Sequence, residues 1–386
     1  MDSKASPIEP APLGGRIPQL DGLRGLAILL VLIWHYVTLT AVTTPHSLAA
    51  HVLGGLRLTW SGVDLFFVLS GFLIGGILVD ERASPRYFRT FYARRFFRII
   101  PLYAVVCVLF GAARVAGGMT WGQAGAWIFS NPPPWYAYVL FLQNFFNAFR
   151  GSFEPLSVGV MWSLAVEEQF YATLPLIVRY LTARRLLPVL VALVCLVPVA
   201  RTAAFFAMPH GWSYAYNLMP LRADSLLLGV IVALLVRRPD AWAALVRHRG
   251  RVQIAAVLLG VGVLGFVHYS PNFEDRALGT VGYTWIALFY TSVLVLAITR
   301  GDGRLSAVLR MRWLRALGGI AYGTYLLHTS VQGICFGLVY GTEPKIRNLA
   351  DVGVTLLALA VTVLVAQASW TFFEKRMVRQ GHHYQY

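Results

Sequence analysis

The residues of this chain that could do chemistry are few, and most stand in strongly apolar surroundings. Arg24 lies in Leu23-Arg24-Gly25, and His35 follows eleven positions later in Trp34-His35-Tyr36. In a helix eleven residues make about 16 Å of rise and a net rotation of roughly 20°, so both side chains point along one face. A guanidinium suits a phosphate or a developing negative charge. An imidazole can act as general base at neutral pH if a carboxylate orients it. Asp64 lies in Gly62-Val63-Asp64-Leu65-Phe66-Phe67-Val68-Leu69-Ser70-Gly71-Phe72, and Glu167 and Glu168 are adjacent in Trp162-Ser163-Leu164-Ala165-Val166-Glu167-Glu168-Gln169-Phe170-Tyr171. Neighbouring helical residues diverge by about 100°. One glutamate can therefore meet a reacting group while the other meets an arginine. Arg95 and Arg98 share a helix face at i, i+3 and offer planar forks to phosphate oxygens. Arg222 and Asp224, then Tyr322, Tyr325 and His328, and finally Glu374 before Lys375 complete the set.

Each of these has a plainer account when taken alone. Either histidine is explained by a hydrogen bond inside a helix bundle. Asp64 could be an acid favoured by a helix N-terminus. Ser70, Gly71, Gly75 and Gly76 read as small residues that let helices approach closely. Arg95 and Arg98 could serve topology or anionic lipid, and Glu374-Lys375-Arg376 could be a charged helix stop.

The elements that must position these residues follow from composition. The chain has 386 residues, of which 57% are hydrophobic and only 13% charged, where soluble domains carry about 25% charged residues. Its mean hydropathy is +0.62. These values exclude disorder, a fibre and most soluble classes, and leave an all-α, polytopic bundle of membrane-spanning helices. Apolar windows fall near 22–42, 58–78, 99–116, 158–178, 186–206, 218–236, 252–268, 281–299, 316–338 and 351–373, which makes ten spans. With the N-terminus inside, the inner segments hold 24 basic residues, Lys4 and Arg16 included, against 5 outside. That asymmetry predicts both ends in the cytoplasm. It also accounts for the net charge of +16 without nucleic acid. The expected organisation is one integral-membrane unit over 1–386. It has a cytoplasmic tail at 1–20, a long external loop at 117–157 interrupted by Pro132-Pro133-Pro134, and a cytoplasmic tail at 374–386. No removable signal peptide is expected at the N-terminus. The three cysteines, Cys107, Cys195 and Cys335, are isolated, and neither a disulfide framework nor a metal site is indicated. An ionisable group at the centre of a bilayer costs about 2.5–3.5 kcal/mol on insertion scales. Arg24, His35, Glu167 and Glu168 therefore need a reason to be where they are.

Taken in order, these segments resemble the acyltransferase 3 family of bacterial membrane O-acyltransferases, over almost the whole chain. The resemblance rests on Arg24-x10-His35, Gly62 to Ile74, Arg95-x-x-Arg98, Trp162-Ser163-Leu164-x-x-Glu167-Glu168-Gln169-Phe170-Tyr171 and Arg222-x-Asp224. It continues through Tyr322-x-x-Tyr325-Leu326-Leu327-His328 and Phe373-Glu374-Lys375. The family's proline after the late Glu-Lys is replaced here by Arg376, and no fused soluble domain is expected. The resemblance implies a multi-pass protein of the bacterial inner membrane. It would transfer an acyl group, commonly acetyl, from cytoplasmic acyl-CoA to a hydroxyl of an extracytoplasmic carbohydrate such as a surface polysaccharide, peptidoglycan or glycoside. No tightly bound cofactor is implied, since acyl-CoA is a co-substrate. The implied catalytic set is His35, Glu167, Glu168 and Asp64, with a glutamate orienting the imidazole. Arg24, Arg95 and Arg98 would bind the donor, and Arg222, Asp224, Tyr171 and His328 the acceptor. Transfer could be direct or pass through an acylated side chain. Trp121, Trp127, Trp135 and Tyr136 could stack on sugar rings or simply form an interfacial belt.

Two other classes compete. A transporter or flippase for a lipid-linked sugar or anionic solute would also bury charge among ten helices, but no inverted repeat is visible. A non-catalytic membrane scaffold would have little use for charges in such costly positions.

Overall fold

The computed structural model describes residues 15, 17–270, 272, 274–299, 301 and 303–386. Lys4, Arg16 and Arg300, counted above as inner charges, lie outside them, as does most of the expected tail at 1–20. Among the described residues the chain is helical, and the one β-type pairing joins Ala41 to Ile346. Ten long helices carry the fold: α1 Pro18–Ile33, α2 Gly62–Asp80, α3 Tyr87–Val115, α4 Met161–Tyr180, α5 Ala183–Ala207, α6 Met219–Leu235, α7 Arg249–Tyr269, α8 Tyr283–Thr299, α9 Ala321–Tyr340 and α10 Leu349–Ser369.

Among the described residues, eight helical stretches are long and apolar enough to cross a membrane: Pro18–Thr38, Leu48–Asp80, Tyr87–Val115, Ala183–Ala207, Gly211–Leu235, Arg249–Tyr269, Leu278–Thr299 and Leu349–His382. The other two expected spans, 158–178 and 316–338, are α4 and α9, each of 20 residues. At 1.5 Å per residue they are long enough for a hydrocarbon core of about 30 Å. Glu167, Glu168 and Gln169 in α4, and Tyr325, His328 and Gln332 in α9, make them too polar to face lipid.

The burial pattern sorts the helices. α7 exposes Ile254, Val257, Leu258, Val261 and Leu264 along one side, an apolar stripe that only hydrocarbon would cover. At the centre α2 and α6 cross at closest approach, where a Cβ on Gly71 would strike the Leu226 carbonyl oxygen and one on Gly229 that of Val68. Glycine is required at this crossing because the backbones themselves touch.

Three helices contain a π-turn: Trp34–Thr38 after α1, Leu278–Gly282 before α8 and Trp370–Glu374 after α10. A π-turn adds a residue to one turn and re-aims the side chains around it. The stretch at 117–157 is not an open loop. It folds into short helices at Gly122–Phe129, Trp135–Val139, Gln143–Arg150 and Leu156–Gly159, and the Pro132-Pro133-Pro134 run separates the first two. The segment after Glu374 is also ordered. Lys375–His382 continues helically, and the residues beyond it pack on α3 through Arg94 Nε to the Tyr384 carbonyl (2.9 Å) and Thr90 Oγ1 to the Gln385 carbonyl (2.9 Å).

Candidate active site

Two of the cavities among the described residues adjoin inside the bundle, sharing Val63 and Tyr325 as lining. The first is nearer the end where α1 begins and where the short 81–86 link joins α2 to α3. Arg24 reaches it from α1, Ser70 from α2, Arg95 and Arg98 from α3, Glu167 and Tyr171 from α4, and Tyr322 from α9. The π-turn after α10 adds Trp370 and Glu374, and Phe66, Leu69 and Leu73 supply an apolar wall. Ser70 Oγ donates to Glu167 Oε1 at 2.5 Å and lies 3.1 Å from the Tyr171 hydroxyl. Glu374 accepts from Ser369 Oγ at 2.7 Å, and the Tyr322 hydroxyl donates to the Ile99 carbonyl at 2.7 Å. Three guanidinium groups thus share one pocket with two carboxylates and an apolar strip. That donor set fits an elongated anion with phosphates at one end and an uncharged tail.

The second cavity opens toward the opposite end of the bundle and contains His35. Around it stand Trp60, Trp127, Trp162 and Tyr216, with Thr40, Thr329 and Gln332 as polar points and Glu343 and Lys345 at the side. It holds about 330 Å³, against about 140 Å³ for the first cavity. Aromatic faces with a few hydrogen-bonding groups are what a sugar ring requires. Val63 and Tyr325 line both cavities. The Tyr325 hydroxyl is held by Ser163 Oγ at 2.5 Å and donates to the Val160 carbonyl at 3.0 Å, so its ring stands as a partition.

His35 sits in the π-turn Trp34–Thr38. Its Nδ1 lies 2.9 Å from the Val31 carbonyl oxygen. A carbonyl can only accept, so this contact assigns the ring hydrogen to Nδ1 and leaves the Nε2 lone pair as the basic position. The expected orienting carboxylate is not there. Glu167 belongs to the other cavity, and a backbone carbonyl made available by the helix does the work assigned to it. His35 also packs edge-on against His328, with ring centres 4.7 Å apart.

The structure brings Arg24, Arg95, Arg98, Glu167 and Tyr171 together, so Tyr171, expected on the acceptor with Arg222, Asp224 and His328, lines the basic cavity apart from them. Glu168 does not line that cavity, as the 100° divergence from Glu167 requires, and its Oε1 is buried with no hydrogen-bond partner. Asp64, Arg222 and Asp224, expected as catalytic and acceptor groups, line neither cavity and are 0% exposed. Arg222 NH2 pairs with Asp64 Oδ1 at 2.8 Å, and Ser225 Oγ donates to the same oxygen at 3.1 Å. Asp224 accepts from Arg201 NH1 at 3.0 Å and from Thr284 Oγ1 at 2.5 Å. The Arg222 guanidinium also lies 4.2 Å from the Tyr283 ring centre and 5.3 Å from that of Tyr216. This is an internal ion-pair network that ties α2, α5, α6 and α8 together. His328 likewise lines neither cavity and is 0% exposed.

Sequence reasoning missed three participants. Ser70 was read as packing, yet it is the hydrogen-bond partner of Glu167. Glu374 was read as a helix stop, yet the π-turn turns it into the first cavity at 5% exposure. Arg201 is the partner of Asp224, and its signal was present: an arginine inside an apolar run must find a carboxylate. Arg201 also donates from Nε and NH2 to the Thr280 carbonyl at 3.2 Å, within the π-turn Leu278–Gly282.

The site is thus a basic cavity and an aromatic, histidine-bearing cavity that meet at Val63 and Tyr325 inside a helix bundle. A family model described as an acyltransferase domain matches residues 17–371, and the chain belongs to this acyltransferase 3 family. It is 27% identical over 383 residues to O-acetyltransferase OatA of Staphylococcus aureus (strain NCTC 8325 / PS 47), covering 95% of this chain and 58% of that protein. It is 26% identical over 389 residues to peptidoglycan O-acetyltransferase OatA of Listeria monocytogenes (serovar 1/2a, strain EGD-e), covering 95% of this chain and 56% of that protein. The chain thus spans a little over half the length of these curated relatives. No solved structure matches it.

Proposed function

We propose that this protein transfers an acyl group, most simply acetyl, from acyl-CoA to a hydroxyl of a cell-wall carbohydrate, with peptidoglycan the first acceptor to test. One observation carries the reading: a basic cavity and an aromatic cavity with a free imidazole nitrogen abut at Tyr325 and Val63. Family membership and the names of the relatives favour it over the transporter reading. In this account Arg95 and Arg98 hold the donor's phosphates near the arginine-rich end, which is taken as the cytoplasmic side because basic residues favour it. Arg24 lies further along the same cavity and faces the developing oxyanion. The carbohydrate enters the aromatic cavity. Its hydroxyl gives a proton to His35 Nε2 while the oxygen attacks the thioester carbonyl carbon. The carbon–sulfur bond breaks, and the thiolate leaves toward the arginines and takes up the proton. Glu167, held by Ser70, counters the arginine charges and fixes the cavity wall.

The test is mass spectrometry and proton NMR of cell-wall carbohydrate from a strain lacking the gene, complemented with wild type or with His35→Ala. The expected result is an acyl signal restored by wild type alone. No acyl difference between any of the strains would overturn the proposed activity, and equal restoration by both would remove His35 as its base.

A further inference from the structure

His328 is a buried histidine that the transfer scheme above does not use. Its Nδ1 lies 2.7 Å from the Tyr325 carbonyl oxygen, so that contact assigns the ring hydrogen to Nδ1 and leaves Nε2 as an acceptor. That Nε2 is buried with no hydrogen-bond partner in the structure. Buried acceptors of this kind are rare, and each asks for an explanation. The side chain is 0% exposed, so water does not supply one. The position is fixed on every side. The Tyr36 hydroxyl donates to the His328 backbone carbonyl at 2.8 Å and lies 2.7 Å from Thr362 Oγ1. Tyr325, one turn earlier in α9, is locked to Ser163 and Val160. The neighbour against which the imidazole packs edge-on is His35, at 4.7 Å between ring centres.

Two neutral imidazoles in this state have nothing to exchange, since each has spent its hydrogen on a backbone carbonyl. The arrangement changes when His35 takes a proton on Nε2. His35 then gains a donor and a charge, and the imidazole packed edge-on against it carries the unpartnered Nε2 acceptor. We propose that His328 is a positioning residue of the transfer reaction, whose Nε2 accepts a hydrogen bond from the protonated His35 and holds it until the thiolate takes up the proton. The inference rests on His35 being the base. The proton count is unchanged: one leaves the acceptor hydroxyl, is shared between the two Nε2 atoms, and passes to the departing sulfur. The remaining titratable groups nearby are already engaged. Tyr36 and Tyr325 are hydrogen-bonded, and Glu343 and Lys345 at the side of the aromatic cavity pair with each other.

The test compares His328→Gln, His328→Asn and His328→Leu with wild type and with His35→Ala. All are measured as full-length protein in proteoliposomes, following acetyl transfer from acetyl-CoA to a muropeptide. Gln can place its amide oxygen where Nε2 stands and so keeps the acceptor. Asn can replace only the Nδ1 side, and Leu replaces neither. A hydrogen bond to a charged group is worth about a ten- to hundredfold factor. Leu and Asn are therefore expected to lower kcat by that factor with KM for both substrates within about twofold, and Gln to retain most of the rate. Wild-type kcat in Leu or Asn, or equal loss in Gln and Asn, overturns the inference. If Leu does not accumulate, the Gln and Asn pair still decides. Retention of rate by His35→Ala removes the base itself, and this outcome is distinct from a failure confined to His328.

Discussion

Replacing Asp64 separates a structural from a catalytic role for a fully buried acid. Asp64 and Arg222 are both 0% exposed and 2.8 Å apart, and Asp64 also accepts from Ser225. In Asp64→Ala the Arg222 charge loses its carboxylate while remaining inside the bundle. Its Nε and NH1 already have no hydrogen-bond partner, so little else can take over. The faces of Tyr283 and Tyr216 remain, and a desolvated cation over a ring gains about 2 kcal/mol. Removing one partner of a buried ion pair costs about 3–5 kcal/mol, whereas exchanging both partners for apolar groups of similar volume is often neutral. Asp64→Ala should therefore accumulate poorly and melt at a clearly lower temperature in detergent. Asp64→Ala combined with Arg222→Met should recover most of that loss, together with most of the transfer activity. Thermal unfolding of the purified single and double variants, followed alongside activity, measures the coupling. A single variant that melts like wild type but has lost activity would refute the structural assignment and return Asp64 to the reaction.

Four further outcomes follow. Arg95→Ala and Arg98→Ala should each raise the donor KM more than they lower kcat, in steady-state kinetics with varied acyl-CoA, because the proposed function gives them the donor's phosphates in the basic cavity. Glu167→Gln should cost more activity than Glu168→Gln in the same assay, since only Glu167 faces that cavity. Tyr325→Ala removes the partition between the cavities and should raise acyl-CoA hydrolysis in the absence of acceptor, measured as thiol release. Gly71→Val should prevent accumulation of the protein by driving a side chain into the Leu226 carbonyl, which immunoblotting of membranes would show.

Much of this arrangement was legible in the residues. The apolar windows located the long helices, because burial in lipid demands about twenty apolar residues in a row. Arg24, Arg95 and Arg98 share one cavity, in keeping with their placement toward one end of the bundle, while Glu167, expected beside His35, stands with them instead. The rest depended on features that periodicity does not encode. A π-turn has no sequence signature at the level of hydropathy, yet π-turns hold His35, bring Glu374 into the basic cavity and supply the carbonyl that Arg201 uses. The expectation that a glutamate orients His35 failed because a helix carbonyl, from Val31, was within reach, and sequence patterns show side chains rather than free backbone acceptors. Asp64, Arg222 and Asp224 looked functional because ionisable groups in apolar segments usually are. Which of them face a cavity and which face each other depends on the crossing of α2, α5, α6 and α8. Ser70 was lost among glycines because a small residue at a helix contact is usually only packing.

The measurement that bears most directly on the whole account is acyl transfer by purified protein in proteoliposomes. Isotopically labelled acetyl-CoA would be the donor and a muropeptide the acceptor, with wild type and His35→Ala at matched reconstitution. The account predicts labelled ester on the carbohydrate with wild type, and a rate about two to four orders of magnitude lower with His35→Ala. Equal rates for the two proteins, or no labelled ester with either, would contradict it.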